Sequence, residues 1–281
     1  MPLATTADLL ARATAGGRGL AAFNVITLEH AEGIVAGAEA AGQDVILQIS
    51  ENAVKFHGGR LRPIAAAAIE VARTAAVGVS VHLDHVEDVA LLHQSAAAGL
   101  SSAMFDASHL EYAENVAATR AAVEWGHANG LLVEAELGKV GGKDGAHAPG
   151  VRTDPREAAE YVEATGVDAL AVAVGSSHAM TERTAALDLD LIAALAAAVP
   201  VPLVLHGSSG VADDNLAAAV GAGIVKVNIG TILNVAFTGA VREVLDADDK
   251  LVDPRKYLAP GRAQIAAVAQ RLSTVVGGSR S

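Results

Sequence analysis

Cysteine is absent from the 281 residues of the sequence. Disulfide bonds and thiolate metal sites are therefore excluded, and a bound metal ion would need histidine, aspartate or glutamate ligands. Basic residues are also scarce, because 20 lysines and arginines stand against 32 aspartates and glutamates, for a formal net charge of −12. This balance disfavours nucleic acid as a partner, since a phosphate backbone requires clustered positive charge. An anionic small molecule would have to be bound locally.

Long uninterrupted hydrophobic runs are missing as well. The most apolar stretches are 65–79, which is rich in alanine, and 191–204, which Pro200 and Pro202 interrupt. Neither is typical of a membrane span, and the first residues lack the basic and apolar segments of a signal peptide. With 52% hydrophobic residues the chain can nevertheless build a large core. We therefore expect a packed cytoplasmic protein without membrane association.

The sequence instead alternates short β-prone runs with longer alanine-rich segments, which is typical of βα units in a parallel sheet. The predicted strands cover 21–26, 45–49, 79–83, 102–105, 131–135, 169–174, 202–205 and 224–229. The predicted helices include 28–41, 64–76, 86–98, 112–129, 155–165, 187–198 and 212–219, and a further one is expected after 228–231. No composition break divides the chain, so we predict a single-domain (β/α)₈ TIM barrel over 1–281. A mobile loop is expected at about 138–152, either a functional lid or a disordered insertion.

Chemically capable side chains follow the predicted strands at their carboxyl ends, where barrels of this kind assemble active sites. Histidines occur there after strands three, six and seven, as His85, His178 and His206. Each alone would more often be a hydrogen-bonded loop residue, but three on one rim can converge and leave the open coordination position of a catalytic metal. The strand ends also supply Asn24, Ser50, Asp84, Asp106, Glu134, Glu136, Asn228 and Thr231. Surface or packing roles are expected for His30, His57, His93, His109, His127 and His147.

Asp84 precedes the first of these histidines directly. Because the chain turns at the end of the strand, both Asp84 and His85 can reach the barrel mouth. The carboxyl group could transfer a proton to a metal-bound substrate oxygen, or it could only orient the metal ligand. The sequence leaves both roles open.

Two small-residue turns, 206–210 and 228–231, each lead into a predicted helix. Backbone N–H groups and hydroxyls at helix N-termini favour anions, and TIM barrels often bind phosphate after strands seven and eight. Together the turns predict a phosphate site, which would allow an acidic protein to bind an anion.

Five ordered motifs of the chain resemble the class II, metal-dependent ketose-bisphosphate aldolases. The similarity extends from Ala22-Phe23-Asn24-Val25 to Asp253-Pro254-Arg255-Lys256-Tyr257-Leu258, and the compact length looks more like the short fructose- and tagatose-bisphosphate branches. The motifs are Val81-His82-Leu83-Asp84-His85, Val133-Glu134-Ala135-Glu136-Leu137-Gly138, Ala173-Val174-Gly175-Ser176-Ser177-His178, Leu205-His206-Gly207-Ser208-Ser209 and Lys226-Val227-Asn228-Ile229-Gly230-Thr231.

The resemblance implies reversible cleavage of a phosphorylated ketose, such as fructose 1,6-bisphosphate or tagatose 1,6-bisphosphate, into dihydroxyacetone phosphate and an aldehyde. It implies one Zn²⁺ per subunit on His85, His178 and His206, with Co²⁺ or Mn²⁺ as other candidates and Na⁺ or K⁺ nearby as a further one. Asp106 and Glu134 would offer an alternative metal position. The resemblance also implies a homodimer or homotetramer.

The same resemblance suggests roles for the remaining residues. Asn228 would stabilise the enediolate, and Asp84 would protonate the aldehyde oxygen. Asn24, Ser50 and Arg262 would face the second substrate, Arg262 from a neighbouring subunit. The phosphate of the ketone half would meet Ala179, Gly207, Ser208, Ser209, Gly230 and Thr231.

Two positions depart from the family pattern. The loop after strand five usually carries a Glu that moves the proton, whereas Asp144 is the available carboxylate here, one methylene shorter. Ala179 follows the second predicted histidine ligand where a Gly is usual. Two other functions therefore stay open: a metal-dependent sugar-phosphate isomerase or epimerase, and a non-catalytic sugar-phosphate-binding relative.

Overall fold

A computed structural model describes residues 3–137, 152–176, 183 and 185–278. Within them, eight parallel strands follow one another around a closed barrel, and the last strand pairs with the first. The prediction of a (β/α)₈ barrel is confirmed. The strands are β1 (Leu20–Asn24), β2 (Val45–Ser50), β3 (Val79–Val86), β4 (Ser102–Phe105), β5 (Leu132–Glu136), β6 (Ala169–Ala171), β7 (Leu203–Leu205) and β8 (Ile224–Ile229).

Helices cover the outside of the barrel, and the first of them closes its lower end, where the strands begin. Among the described residues they are α1 (Thr6–Ala15), α2 (Leu28–Ala41), α3 (Glu51–Phe56), α4 (Leu61–Thr74), α5 (Val89–Leu92), α6 (Tyr112–Ala128), α7 (Pro155–Thr165), α8 (Leu189–Ala198), α9 (Asp213–Ala222), α10 (Thr231–Ala247) and α11 (Pro254–Gly277). No helix in this part of the chain is long and apolar enough to cross a membrane.

The predicted helix over 86–98 is wrong for most of its length. Strand β3 continues to Val86, and α5 comprises only four residues. The side chain of Asp88 accepts a hydrogen bond from the amide of Ala90 and starts the short helix. Turn-type bonds, such as Ser95 N–H to the Leu92 carbonyl, then replace the α-helical pattern. The alanine-rich composition of 95–98 predicted helix where the local hydrogen bonds form turns.

Helix α1, which the sequence patterns did not predict, packs against the lower end of the barrel. Its Leu9 and Leu10 form a buried cluster with inward-facing strand residues such as Ala22 and Ile46. The hydroxyl of Thr6 lies 3.0 Å from that of Ser80 and 2.6 Å from that of Ser102. The hydroxyls of Thr6, Ser80 and Ser102 therefore have hydrogen-bond partners although they are buried.

Helix α11 packs along α2 at close range. A Cβ atom at Gly37 would lie 2.4 Å from the carbonyl oxygen of Ala266, so a side chain there would force the helices apart. This contact fixes the last helix beside the first βα unit and leaves the carboxyl ends of the strands open. The predicted loop at about 138–152 lies outside the described residues apart from Arg152.

Candidate active site

A cavity of about 660 Å³ opens at the carboxyl ends of the strands. Residues from β1, β2, β3 and β8 and from the turns after β4, β7 and β8 line it, as expected for a TIM barrel. Predicted site residues that line it are Asn24, Ser50, Asp84, His85, Asp106, Gly207, Ser208, Ser209, Asn228, Gly230 and Thr231.

The end of β3 presents two neighbouring residues to this cavity. His85 has φ of +48°, a left-handed conformation that is uncommon for a residue with a side chain. Its Nδ1 lies 2.9 Å from Oδ2 of the buried Asp84. Burial disfavours the charged form of each group, but their mutual attraction outweighs it. The pKa of Asp84 is therefore held well below its usual range, and the pKa of His85 is raised to about 9.

His85 also belongs to a group of three side chains that could bind a metal ion. Atoms of His85, Glu136 and His206 all lie within 4.8 Å of one another, and the two imidazole rings are 4.7 Å apart between centroids. His206 Nδ1 lies 3.6 Å from Oε2 of Glu136. Imidazole and carboxylate groups are the donors that zinc and similar divalent ions prefer when no thiolate is available. The donor set therefore fits a metal of this class.

Glu134, the other carboxylate of β5, has different partners. Its Oε1 lies 3.0 Å from Nε2 of His206, and its Oε2 accepts a hydrogen bond from Lys226 at 2.6 Å. Asp106, the other residue of the predicted alternative metal position, lines the cavity and accepts a hydrogen bond from the amide of Ser108 at 3.0 Å. Neither belongs to the three-residue set. Their direct contact with a metal stays a prediction.

Amide side chains line the cavity next to Asp84. Asn228 Nδ2 lies 3.4 Å from Asp84 Oδ1, and Gln48 donates a hydrogen bond to Asn24 Oδ1 at 2.7 Å. Among the described residues, the buried atoms Asn228 Oδ1 and Gln48 Oε1 have no hydrogen-bond partner. Buried polar atoms without a partner are costly, so these two are suited to meet a polar ligand.

The two small-residue turns lie on another side of the cavity. Gly207 adopts a left-handed conformation, with φ of +65°, and a short 3₁₀ helix follows at Ser208–Gly210. The hydroxyl of Ser209 accepts a hydrogen bond from the amide of Ile232, in the first turn of α10. The positive end of the α10 dipole thus faces the same turn as Ser209, which favours an anion.

The wall formed by the β2–α3 segment carries both signs of charge. Ser50 caps α3 by accepting a hydrogen bond from the amide of Ala53, and Glu51 pairs with Lys55 at 2.7 Å. Burial opposes ionisation of Glu51, but Lys55 and the amides of Glu87 and Asp88 lower its pKa. Glu51 is therefore a fixed negative charge on this wall.

Arg262 lies away from the cavity of its own chain. It pairs with Glu32 and lines a separate groove between α2 and α11. The expectation that Arg262 meets the second substrate from a neighbouring subunit stays a prediction. Three other predicted site residues, Asp144, His178 and Ala179, lie outside the described residues.

Several histidines without an expected site role do make structural contacts. His57 Nε2 lies 2.7 Å from the Ile26 carbonyl, His93 stacks on Trp125, and His127 pairs with Asp168. His30 is buried beside Phe237.

Sequence reasoning left two inward-facing residues without a role. The sequence patterns place Glu136 at the end of strand five but do not include it among the predicted metal ligands, although it lies two residues after Glu134 and therefore on the same face of the strand. Lys226 lies in a matched motif, but its pairing with Glu134 joins β5 to β8 across the barrel interior. No local pattern predicts that contact.

Comparison with known proteins identifies the same architecture. The family model described as "Fructose-bisphosphate aldolase class-II" matches residues 4–280. Similar proteins include the fructose-bisphosphate aldolases of Thermus caldophilus, 35% identical over 98% of both chains, and of Staphylococcus aureus strain Mu50, 36% identical over 94% of both. The crystal structure of the YdjI aldolase from Escherichia coli K12 superposes with a TM-score of 0.85 at 31% identity, covering 99% of this chain and 98% of that one.

Proposed function

Because the chain belongs to the class II fructose-bisphosphate aldolase family, we propose that it cleaves a phosphorylated ketose reversibly into dihydroxyacetone phosphate and an aldehyde. Members of this family are metal-dependent carbon–carbon lyases. Fructose 1,6-bisphosphate and tagatose 1,6-bisphosphate are the candidate substrates. The observation that carries the proposal is the convergence of His85, Glu136 and His206, at the point where His85 and its neighbour Asp84 line the cavity.

His85, Glu136 and His206 would hold the metal, together with His178 as the sequence motifs predict. A bound divalent ion supplies Lewis acidity, which polarises a substrate oxygen and makes the neighbouring carbon-bound proton more acidic. The donor set favours Zn²⁺, and Co²⁺ or Mn²⁺ have similar ligand preferences. Asp144 is the candidate for removing the carbon-bound proton, as the family pattern suggests.

Asp84 and Asn228 would act on the substrate oxygens. Asp84 lines the cavity and contacts His85, which supports its proposed role in exchanging a proton with the aldehyde oxygen. Asn228 lies beside Asp84 and can donate a hydrogen bond from its amide to the developing enediolate oxygen. The unpartnered Oδ1 of Asn228 can in addition accept a hydrogen bond from a substrate hydroxyl.

The phosphate of the ketone half would bind at the turns after β7 and β8. Gly207, Ser209 and Gly230 line this part of the cavity, and α10 begins there, with the Ile232 amide donating a hydrogen bond to the Ser209 hydroxyl. The N-terminal end of the helix dipole carries about half a positive elementary charge, which favours an anion without a lysine or arginine. Ser208 donates its hydroxyl to the Asn228 carbonyl, so its contribution to phosphate would come from the backbone.

The second half of the substrate would extend towards Asn24 and Ser50, which line the cavity at the ends of β1 and β2. We propose a homodimer or homotetramer, because Arg262 lies away from the cavity of its own chain and would reach a substrate only at another subunit.

Product analysis tests the proposed reaction against its alternatives. The protein is incubated separately with fructose 1,6-bisphosphate and tagatose 1,6-bisphosphate, and dihydroxyacetone phosphate, aldehyde and rearranged ketose are each quantified. Equimolar release of dihydroxyacetone phosphate and aldehyde is expected. A rearranged ketose without aldehyde would instead identify an isomerase or epimerase. Binding of either sugar without any product would favour a non-catalytic relative.

A further inference from the structure

A buried ion pair lies inside the barrel beneath the proposed metal ligands. Lys226 of β8 and Glu134 of β5 are separated by 2.6 Å, and their side chains are 0% and 1% exposed. Removing two charges from water is costly, and an apolar pair of similar volume often gives equal or greater stability. Folding alone therefore does not account for these residues.

The two carboxylate oxygens of Glu134 have separate partners. Oε2 accepts from Lys226, whereas Oε1 lies 3.0 Å from Nε2 of His206. His82 Nε2 lies 4.0 Å from Oε2, beyond hydrogen-bond distance. Lys226 and His206 thus hold the carboxylate from two sides.

The contact between Glu134 Oε1 and His206 Nε2 determines which nitrogen of His206 is available to bind a metal. A carboxylate accepts hydrogen bonds, so the proton of a neutral His206 ring belongs on Nε2. The lone pair is then on Nδ1, which is 3.6 Å from Oε2 of Glu136. Carboxylates that fix a ligating histidine in this way raise its affinity for metal.

We propose that Glu134 is a positioning residue that orients His206 and fixes its tautomer for metal binding, with Lys226 holding the other carboxylate oxygen of Glu134 and so keeping Glu134 out of the ligand set. The inference rests on the metal site of the proposed function but not on the identity of the sugar. In this proposal Glu134 hydrogen-bonds His206 and does not bind the metal.

A pair of double variants separates positioning from a purely structural role. Glu134→Leu with Lys226→Met removes both buried charges and the acceptor for His206. Glu134→Gln with Lys226→Met also removes both charges, but the amide oxygen of Gln can still accept from Nε2. Neither double variant leaves one charge of the Lys226–Glu134 pair without the other, so both are expected to fold, which thermal unfolding of the full chain checks. A third variant, Ser102→Ala, removes a buried hydroxyl that bonds His82 and Thr6 and provides a control in the same barrel interior.

Metal affinity of each full-length protein is measured after metal removal, by competition for Zn²⁺ with a chromophoric chelator and by the visible spectrum of bound Co²⁺. The double variant Glu134→Leu with Lys226→Met is expected to bind Zn²⁺ about 10–100-fold more weakly than wild type. The double variant Glu134→Gln with Lys226→Met should lose less Zn²⁺ affinity, and Ser102→Ala should retain the Zn²⁺ affinity of wild type. Wild-type Zn²⁺ affinity and an unchanged Co²⁺ spectrum in the Leu-containing double variant would overturn the proposal. Equal losses of Zn²⁺ affinity in the two double variants would also overturn it.

These measurements contain no sugar. A failure of the proposed aldol cleavage would therefore leave the metal affinities interpretable, and a failure of the positioning role would leave cleavage intact in wild type.

Discussion

Oδ2 of Asp84 lies 2.9 Å from Nδ1 of His85, the next residue in the chain. Neighbouring strand residues normally point to opposite faces of a sheet. The left-handed backbone of His85 turns both side chains into one cavity, and strain of this kind costs about 1–3 kcal/mol. The strain is consistent with a site that needs a carboxylate and an imidazole at the same point.

Substitution of Asp84 distinguishes proton transfer from ligand orientation. We expect Asp84→Ala to lower kcat for aldol cleavage by about 10²–10⁴-fold, because positioned acid–base groups contribute about that much. Asp84→Asn, which retains the shape but cannot exchange the proton, should lose a similar factor. Zinc affinity, measured on the same proteins, should fall by a smaller factor than kcat. Equal losses of zinc affinity and kcat would indicate that Asp84 only orients His85.

Zinc binding to the metal-free protein should depend on pH through His85. Its pKa is raised to about 9 because, although burial disfavours its charge, the Asp84 carboxylate stabilises it. Below that pH a proton must leave before the ring binds metal, so zinc affinity should increase from pH 7 towards pH 9 by up to about tenfold per unit. Chelator competition across this range measures the slope. Asp84→Asn removes the stabilising charge and should move the rise to lower pH; an unchanged profile would contradict this assignment.

Glu136 and Asp106 provide a matched comparison of two carboxylates at the carboxyl ends of neighbouring strands. Only Glu136 lies within the three-residue donor set. Glu136→Gln is therefore expected to weaken zinc binding by about tenfold or more, whereas Asp106→Asn should have a smaller effect. Isothermal titration of the metal-free proteins with Zn²⁺ gives both values. The reverse order would favour the metal position that includes Asp106.

Ser209 should contribute to binding of the phosphate group. Its hydroxyl accepts from the Ile232 amide and retains its own proton for donation. A hydrogen bond to a charged group contributes about 1.5–3 kcal/mol, so Ser209→Ala should raise KM for a phosphorylated ketose by about tenfold or more, with less change in kcat. Inhibition by dihydroxyacetone phosphate should weaken in parallel, whereas inhibition by dihydroxyacetone should not. Equal effects on both inhibitors would locate the phosphate elsewhere.

The fold could be predicted because the signals that specify it are local. Predicted strands 102–105 and 224–229 have the observed bounds, as do the predicted helices 28–41 and 155–165. The β-branched residues of 224–229 and the glycine after α2 mark two of these elements directly in the sequence. Helix α1 was missed because its role as a closure depends on contacts with distant residues, such as that of Thr6 with Ser102.

The site was predictable to the level of the strand ends but not of individual contacts. Strand order and the TIM-barrel rule predict that Asp84, His206 and Asn228 lie at the same end of the barrel. Asp84 and Asn228 line the cavity there, and the ring of His206 lies 4.7 Å from that of His85. The sequence does not show that Glu134 and Glu136 have different contact partners. Both face inward, and only the barrel geometry brings Lys226 to the first and His85 to the second.

Metal dependence of aldol cleavage is the most direct test of the central claim. Release of dihydroxyacetone phosphate from fructose 1,6-bisphosphate and from tagatose 1,6-bisphosphate is measured before EDTA, after EDTA, and after zinc is restored, with bound metal determined at each stage. The account predicts that at least one sugar is cleaved, that EDTA abolishes the cleavage, and that zinc restores it. Undiminished release of dihydroxyacetone phosphate from protein shown to contain no metal would contradict it.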